Sequence, residues 1–139
     1  MSTKIMAVAD RNGLPIAAGI ASGERHETQL AEQTLDNFFT TDTPTIIIGD
    51  KAYDSDKLDS ALLDKGFEMV APHRRDKRRK LPRTQDGRRL RRYKRRWLIE
   101  RCFAWLKRFR RINIRWDYKA ENFLGFLHLG CLKILLRRL

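Results

Sequence analysis

Tyr93, Arg96, Glu100 and Lys107 are spaced as Y-x2-R-x3-E-x6-K in the last third of this 139-residue chain. At about 100° per residue on a helix, they fall within an arc of about 60°. One face would then present a phenol, a guanidinium, a carboxylate and an ammonium in a row. Leu98, Cys102, Leu106 and Phe109 lie on the opposite, core-seeking side. Some fifty residues upstream, a short β-branched run, Ile46-Ile47-Ile48-Gly49, ends on Asp50, followed by Lys51-Ala52-Tyr53. A strand-borne carboxylate with a helix-borne carboxylate is a way to hold a divalent metal against phosphate.

The D-x-[GA]-[YF] element at Asp50-Lys51-Ala52-Tyr53 and the helical signature resemble the second and third acidic motifs of DDE insertion-sequence transposases, which have a ribonuclease-H-like catalytic core. The resemblance extends to Asn122-Phe123-Leu124-Gly125-Phe126 and covers nearly the whole chain. It implies that Asp50 and Glu100 are catalytic and bind Mg²⁺ or Mn²⁺. It implies that Tyr93, Arg96 and Lys107 bind the DNA flanking the cut. In such a family the first acid lies on a central strand, and nothing before Thr3 can supply it. The resemblance thus implies an α/β, incomplete ribonuclease-H-like fold, a mixed sheet with flanking helices and its first strand missing. The chain would be a partial transposase catalytic domain over residues 1–139. Alone it would hold metal weakly and be inactive. Its partners would be insertion-sequence ends and an upstream transposase segment, joined by fusion or by frameshifting, with homo-oligomers in the complete enzyme. The end-recognition part would lie N-terminal to the core.

Charge divides the chain. Residues 1–73 hold 6 Lys/Arg against 12 Asp/Glu, and residues 74–139 hold 24 against 5. A net charge of +13 concentrated in one half points to a polyanionic partner. The basic run over residues 74–92, with Arg74, Arg75, Arg78 and Arg79 at its start, has too little apolar material for a core. It reads as a basic loop, a phosphate clamp with salt-sensitive, sequence-independent affinity. The competing class is a non-catalytic basic nucleic-acid-binding protein or regulator. That class has no reason to hold Asp50 and the four-residue signature together.

Cys102 and Cys131 make no disulfide framework and read as buried thiols in a reducing compartment. The N-terminus has no apolar signal region, and the run over residues 123–136 is too short to span a bilayer, so it reads as a core helix. The expected location is cytoplasmic and nucleoid-associated, away from membranes. No Cys/His spacing suggests zinc. Trp97, Trp105 and Trp116 among arginines could stack on bases or pack in the core.

The positioning elements read in order. Residues 3–10 form a strand, Asp10 to Gly13 a turn with the Asn-Gly signal, and residues 14–20 the returning strand. Asp10 reads as a turn residue rather than a catalytic one. A helix covers residues 27–39, and residues 45–48 form a buried parallel strand. Ser55, with Asp54 and Asp56, caps a helix that ends at Gly66. Residues 67–71 form a strand. A long helix is expected from about residue 89 to 109, and a terminal helix from about residue 120. His26 lies in a loop, and His73 and His128 read as structural.

Overall fold

The computed structural model describes residues 2–73 and 91–138. The fold is mixed α/β, as expected, and falls into two compact units: Met1–Thr43 with Trp97–Leu139, and Pro44–Arg96. Among the described residues no helix is long and apolar enough to cross a membrane.

The first unit is built on a hairpin of β1 (Thr3–Ala9) and β2 (Pro15–Ser22), paired antiparallel from Thr3 opposite Ser22 to Ala9 opposite Pro15. Asp10 closes the turn. Its Oδ1 accepts from the Asn12 and Leu14 amides at 2.8 and 2.9 Å. Gly13 takes φ +79°, a conformation that favours glycine. Alternate residues Ile5, Ala7 and Ala9 turn one face of β1 toward the core, as the two-residue strand period requires. Helix α1 (Glu27–Leu35) packs on β2, and a Cβ at Gly19 would stand 2.8 Å from Thr34 Oγ1.

Helix α1 stops at Leu35, four residues before the expected Phe39. The Asn37 side chain donates to the Gln33 carbonyl, and the chain then turns back onto the hairpin. Phe38 bridges Ala17, and the Phe39 amide donates to the Ile16 carbonyl at 2.8 Å. Pairing to the edge of β2 here outweighs helical continuation.

Helices α3 (Trp97–Leu106), α4 (Arg110–Asn113) and α5 (Ala120–Leu136) complete this unit. Ala18, Cys102, Leu106, Ile112, Leu127, Cys131 and Ile134 form its core. Both thiols are buried and free, as the sequence suggests. Helix α5 presses close: a Cβ at Gly130 would lie 2.5 Å from Ile112 Cδ1. Its other side is not core, since Leu129, Leu132 and Leu136 are exposed.

The second unit is a β-α-β crossover. Strand β3 (Ile46–Ile48) runs parallel to β4 (Glu68–Val70), with Ile46 opposite Glu68 and Ile48 opposite Val70. Between them lies α2 (Asp56–Asp64). Ser55 caps it, its hydroxyl accepting from the Leu58 amide, with Asp56 in the first turn. Gly66 ends it at φ +86°. Leu58 and Leu62 bury the inner face of α2, and Phe67, Val70 and Ala71 are buried beside β4. Among the described residues the two sheets have two strands each.

Candidate active site and nucleic-acid interface

Asp50 sits at the end of β3, where the Gly49 amide extends the parallel ladder by donating to Val70 carbonyl at 3.0 Å. The residues that follow form a 3₁₀ turn, Lys51–Tyr53, which Asp50 caps. Its Oδ1 accepts from the Ala52 amide at 2.7 Å, and its carbonyl accepts from the Tyr53 amide at 3.1 Å. The turn folds Tyr53 back over the strand end. A Cβ at Gly49 would come within 2.9 Å of the Tyr53 ring and 3.2 Å of the Met69 sulfur. Gly49 is needed there for the close approach of the Tyr53 ring. The Asp50 side chain is exposed. Ligand groups in open α/β sheets stand at such carboxyl ends of strands.

Asp54, expected to cap α2, instead meets His73. Its Oδ1 lies 3.4 Å from His73 Nδ1, and the carboxylate is almost wholly buried. The contact ties the end of this turn to the segment after β4. His73 is thus structural, as expected, and so is His128, whose Nε2 stands 3.2 Å from the Ala18 carbonyl. His26 contacts Thr28.

The single helix expected over residues 89–109 is not formed as such. Residues Arg91–Arg96 make a 3₁₀ turn, and α3 begins only at Trp97. Five of those six residues are Lys or Arg. An α-helix would stack Arg91 on Arg95 and Arg92 on Arg96, like charges that destabilise it. The tighter turn eclipses residues three apart instead. Arg96 accordingly lies over the Tyr93 ring, and its Nη1 donates to the Tyr93 hydroxyl at 2.8 Å.

The four signature residues therefore do not share one continuous helical stripe. Tyr93 and Arg96 belong to a turn packed against β3, in the same unit as Asp50. Glu100 lies in the first turn of α3, exposed, in the other unit. Lys107 falls just beyond the last residue of α3 and is exposed. Arg74, Arg75, Arg78 and Arg79 lie outside the described residues, as does most of the basic run.

Arg101, next to Glu100, is a positioning residue that the reading of motifs missed. Its guanidinium sits between the Trp97 and Trp105 rings, 4.9 and 4.8 Å from their centroids. Its Nη2 donates to the Asn12 carbonyl at 2.6 Å. Trp97, Arg101 and Trp105 recur every four residues, so this stack was readable as a helical i, i+4 pattern. Among the tryptophans, Trp97 and Trp116 are exposed, and Trp105 is half-buried.

Among the described residues no three His, Cys, Asp or Glu side chains gather into a metal cage. The chemistry of Asp50 and Glu100 nevertheless suits Mg²⁺ or Mn²⁺, since both offer hard carboxylate oxygens at exposed positions.

Comparison with known proteins supports the family resemblance. The model of the family described as Transposase DDE domain matches residues 2–133. The chain is 33% identical over 132 residues to a protein of Burkholderia cepacia named as a transposase for insertion sequence element IS402. That match covers 89% of this chain and 58% of the relative, so the chain spans little more than half of its length. The chain is 34% identical over 137 residues to a Brucella ovis protein named as a transposase for insertion sequence element IS6501, covering 99% of this chain and 100% of that one. No solved structure matches the chain.

Proposed function

The chain belongs to the Transposase DDE domain family, and from that premise we propose that it carries the second and third acids of a DNA-transposing catalytic core. The observation that carries this reading is the turn at Asp50. A carboxylate at the end of a parallel strand caps its own 3₁₀ turn and stands exposed. Glu100, exposed in the first turn of α3, is the other acid.

In this reading Asp50 and Glu100 each serve as a carboxylate ligand for Mg²⁺ or Mn²⁺. When bound, such cations would activate the attacking hydroxyl and stabilise the leaving oxygen. Arg96 and Lys107 orient the phosphates beside the cut, and Tyr93 positions Arg96 through its hydroxyl. The basic run from residue 74 to 92 holds duplex DNA without reading its sequence.

In this reading the chain is part of a ribonuclease-H-like core whose first strand and first acid come from an upstream segment, by fusion or frameshifting. The substrate is DNA at insertion-sequence ends, and the site of action is the nucleoid.

The test uses the chain joined to such an upstream segment. Mg²⁺-dependent strand cleavage is expected. Asp50→Ala or Glu100→Ala should lower it by orders of magnitude while DNA binding persists. Cleavage that survives either change overturns the assignment, and binding without cleavage in the joined protein would favour a non-catalytic DNA-binding role. Robust cleavage by the 139 residues alone would show that the first acid lies within them.

A further inference from the structure

The connector between α4 and α5 turns its charge inward and its rings outward. Along residues 114–118, Ile114, Trp116 and Tyr118 stand 55%, 73% and 97% exposed, while the alternate residues Arg115 and Asp117 are half-buried. A surface connector ordinarily does the reverse. The inward pair is heavily committed. Arg115 Nε and Nη2 donate to the Asp117 and Tyr118 carbonyls, each at 2.9 Å, and its Nη1 donates to Thr3 Oγ1 at 2.7 Å. Its guanidinium lies 5.9 Å from the Phe123 ring centroid. Asp117 Oδ1 stands 3.6 Å from Arg111 Nη1, while its Oδ2 is buried with no hydrogen-bond partner among the described residues. A buried carboxylate oxygen without a partner costs free energy. The connector thus gives up some stability to keep its outer face free of acid and to fix the backbone that carries the rings.

We propose, on the premise that DNA is the substrate, that Trp116 and Tyr118 form a stacking platform for unpaired bases of a DNA strand, with Ile114 extending its apolar surface. Charge selects the occupant. Residues 107–119 hold six cations, Lys107, Arg108, Arg110, Arg111, Arg115 and Lys119, against Asp117 alone, and that acid is turned inward. A polyanion fits such a surround, and open rings among cations are how proteins hold single strands. Duplex DNA offers phosphates to the cations but no base faces to the rings, since each base is covered by its stacked neighbours. The platform therefore distinguishes single from double strands, which a clamp on phosphates does not. Because Arg115 fixes the backbone beforehand, little ordering is needed when a strand binds.

Fluorescence anisotropy of the 139-residue chain tests this, with a labelled oligothymidylate and a blunt duplex of mixed sequence. Trp116→Ala and Tyr118→Ala should each weaken oligothymidylate binding by roughly ten-fold or more. The slope of log affinity against log salt should stay unchanged, because no phosphate contact is lost. Duplex affinity should barely move. Trp116→Phe should recover most of the loss, since a ring remains to stack. Both positions are exposed, so circular dichroism and thermal unfolding of every variant should match the parent. Single-strand affinity indifferent to both alanine variants overturns the proposal. An equal loss on the duplex overturns it as well, because it marks backbone contact in place of stacking. Capture by phosphatidylglycerol vesicles that depends on Trp116, with no effect of Trp116 on DNA, would assign the platform to a membrane surface instead. Failure of the parent chain to bind either DNA at low salt overturns the DNA premise itself. Duplex binding without ring-dependent single-strand binding overturns the platform alone.

Discussion

Arg101 Nη2 donates to the Asn12 carbonyl at 2.6 Å across 89 residues of sequence, tying the helix that bears Glu100 to the tip of the first hairpin. The same guanidinium is stacked between Trp97 and Trp105. A charge-assisted hydrogen bond and two cation–π contacts thus converge on one side chain. Arg101→Ala should cost about 2–3 kcal/mol in chemical denaturation. Arg101→Lys should recover only part of this, because an ammonium lacks the planar face that stacks. Tryptophan emission should shift in the alanine variant before unfolding begins.

Gly130 lets α5 approach α4. A Cβ there would stand 2.5 Å from Ile112 Cδ1 and 3.2 Å from Phe109 Cδ2. Gly130→Ala should destabilise the chain by about 1–3 kcal/mol through overpacking. Ile112→Val removes the atom most in the way. In that background the cost of Gly130→Ala should fall by about half or more, a coupling that a double-mutant cycle in urea would measure. Full additivity would show that the clash lies elsewhere.

Local signals in the sequence carried most of the elements. The Asn-Gly turn, the Ser55 cap and the Gly66 stop all act within a few residues, and each stands where its chemistry demands. What failed were readings that depend on distant partners or on charge. Phe38 and Phe39 continue the apolar period of α1, yet they leave it to pair with β2. Residues 91–96 fit a helical spacing, yet their mutual repulsion favours a 3₁₀ turn, and the expected stripe breaks at Trp97. In α5 the apolar run reads as core throughout. Periodicity alone does not say which of two apolar faces meets the hairpin. At the candidate site, the place of Asp50 at the end of a β-run was legible, whereas the 3₁₀ turn that it caps was not part of the motif reading. The Arg101 stack spans two elements far apart in sequence, and only its Trp-x3-Arg-x3-Trp half was visible beforehand.

The core thiols make a pH prediction with a definite sign. Burial pushes Cys102 up to about 11 from its ordinary 9.0, with the Asp10 carboxylate adding to the rise. Burial pushes Cys131 up to about 12, with Cys102 adding a smaller share. The folded state favours the neutral thiols, so the unfolded chain releases these protons first as pH climbs past 9. This contribution to stability is fully present below pH 9 and is lost progressively toward pH 12. Urea titrations at several alkaline pH values should show the fall, and it should be shallower in Cys131→Ala. At pH 8 iodoacetamide should label neither thiol in the folded chain and both in urea.

Charge asymmetry makes a prediction about binding. If the basic run clamps phosphates, affinity for duplex DNA should fall steeply as salt rises and depend little on sequence. Replacing Arg74, Arg75, Arg78 and Arg79 with Gln should flatten the plot of log affinity against log salt, by about 0.9 for each phosphate contact removed. Thermal stability should stay unchanged, since a run so rich in Lys and Arg has too little apolar material for a core. Fluorescence anisotropy with two unrelated duplexes would supply both numbers, and an unchanged slope would remove the clamp.

Asp10 offers the sharpest check on which acid is missing. It is the acid at the end of β1, so it could be mistaken for the first catalytic carboxylate. Its Oδ1 is committed to the turn, accepting from the Asn12 and Leu14 amides. An amide oxygen can accept the same two bonds, whereas it cannot serve as an anionic metal ligand. Asp10→Asn should therefore leave stability within about 1 kcal/mol of the parent, and Asp10→Ala should cost about 1–3 kcal/mol by leaving two amides without their acceptor. In the chain joined to its upstream segment, Asp10→Asn should retain Mg²⁺-dependent cleavage within a few-fold. Asp50→Asn, which also preserves the turn acceptor, should lose it by orders of magnitude. If Asp10→Asn abolishes cleavage while denaturation shows the hairpin intact, the first acid is Asp10, and the upstream segment supplies structure only.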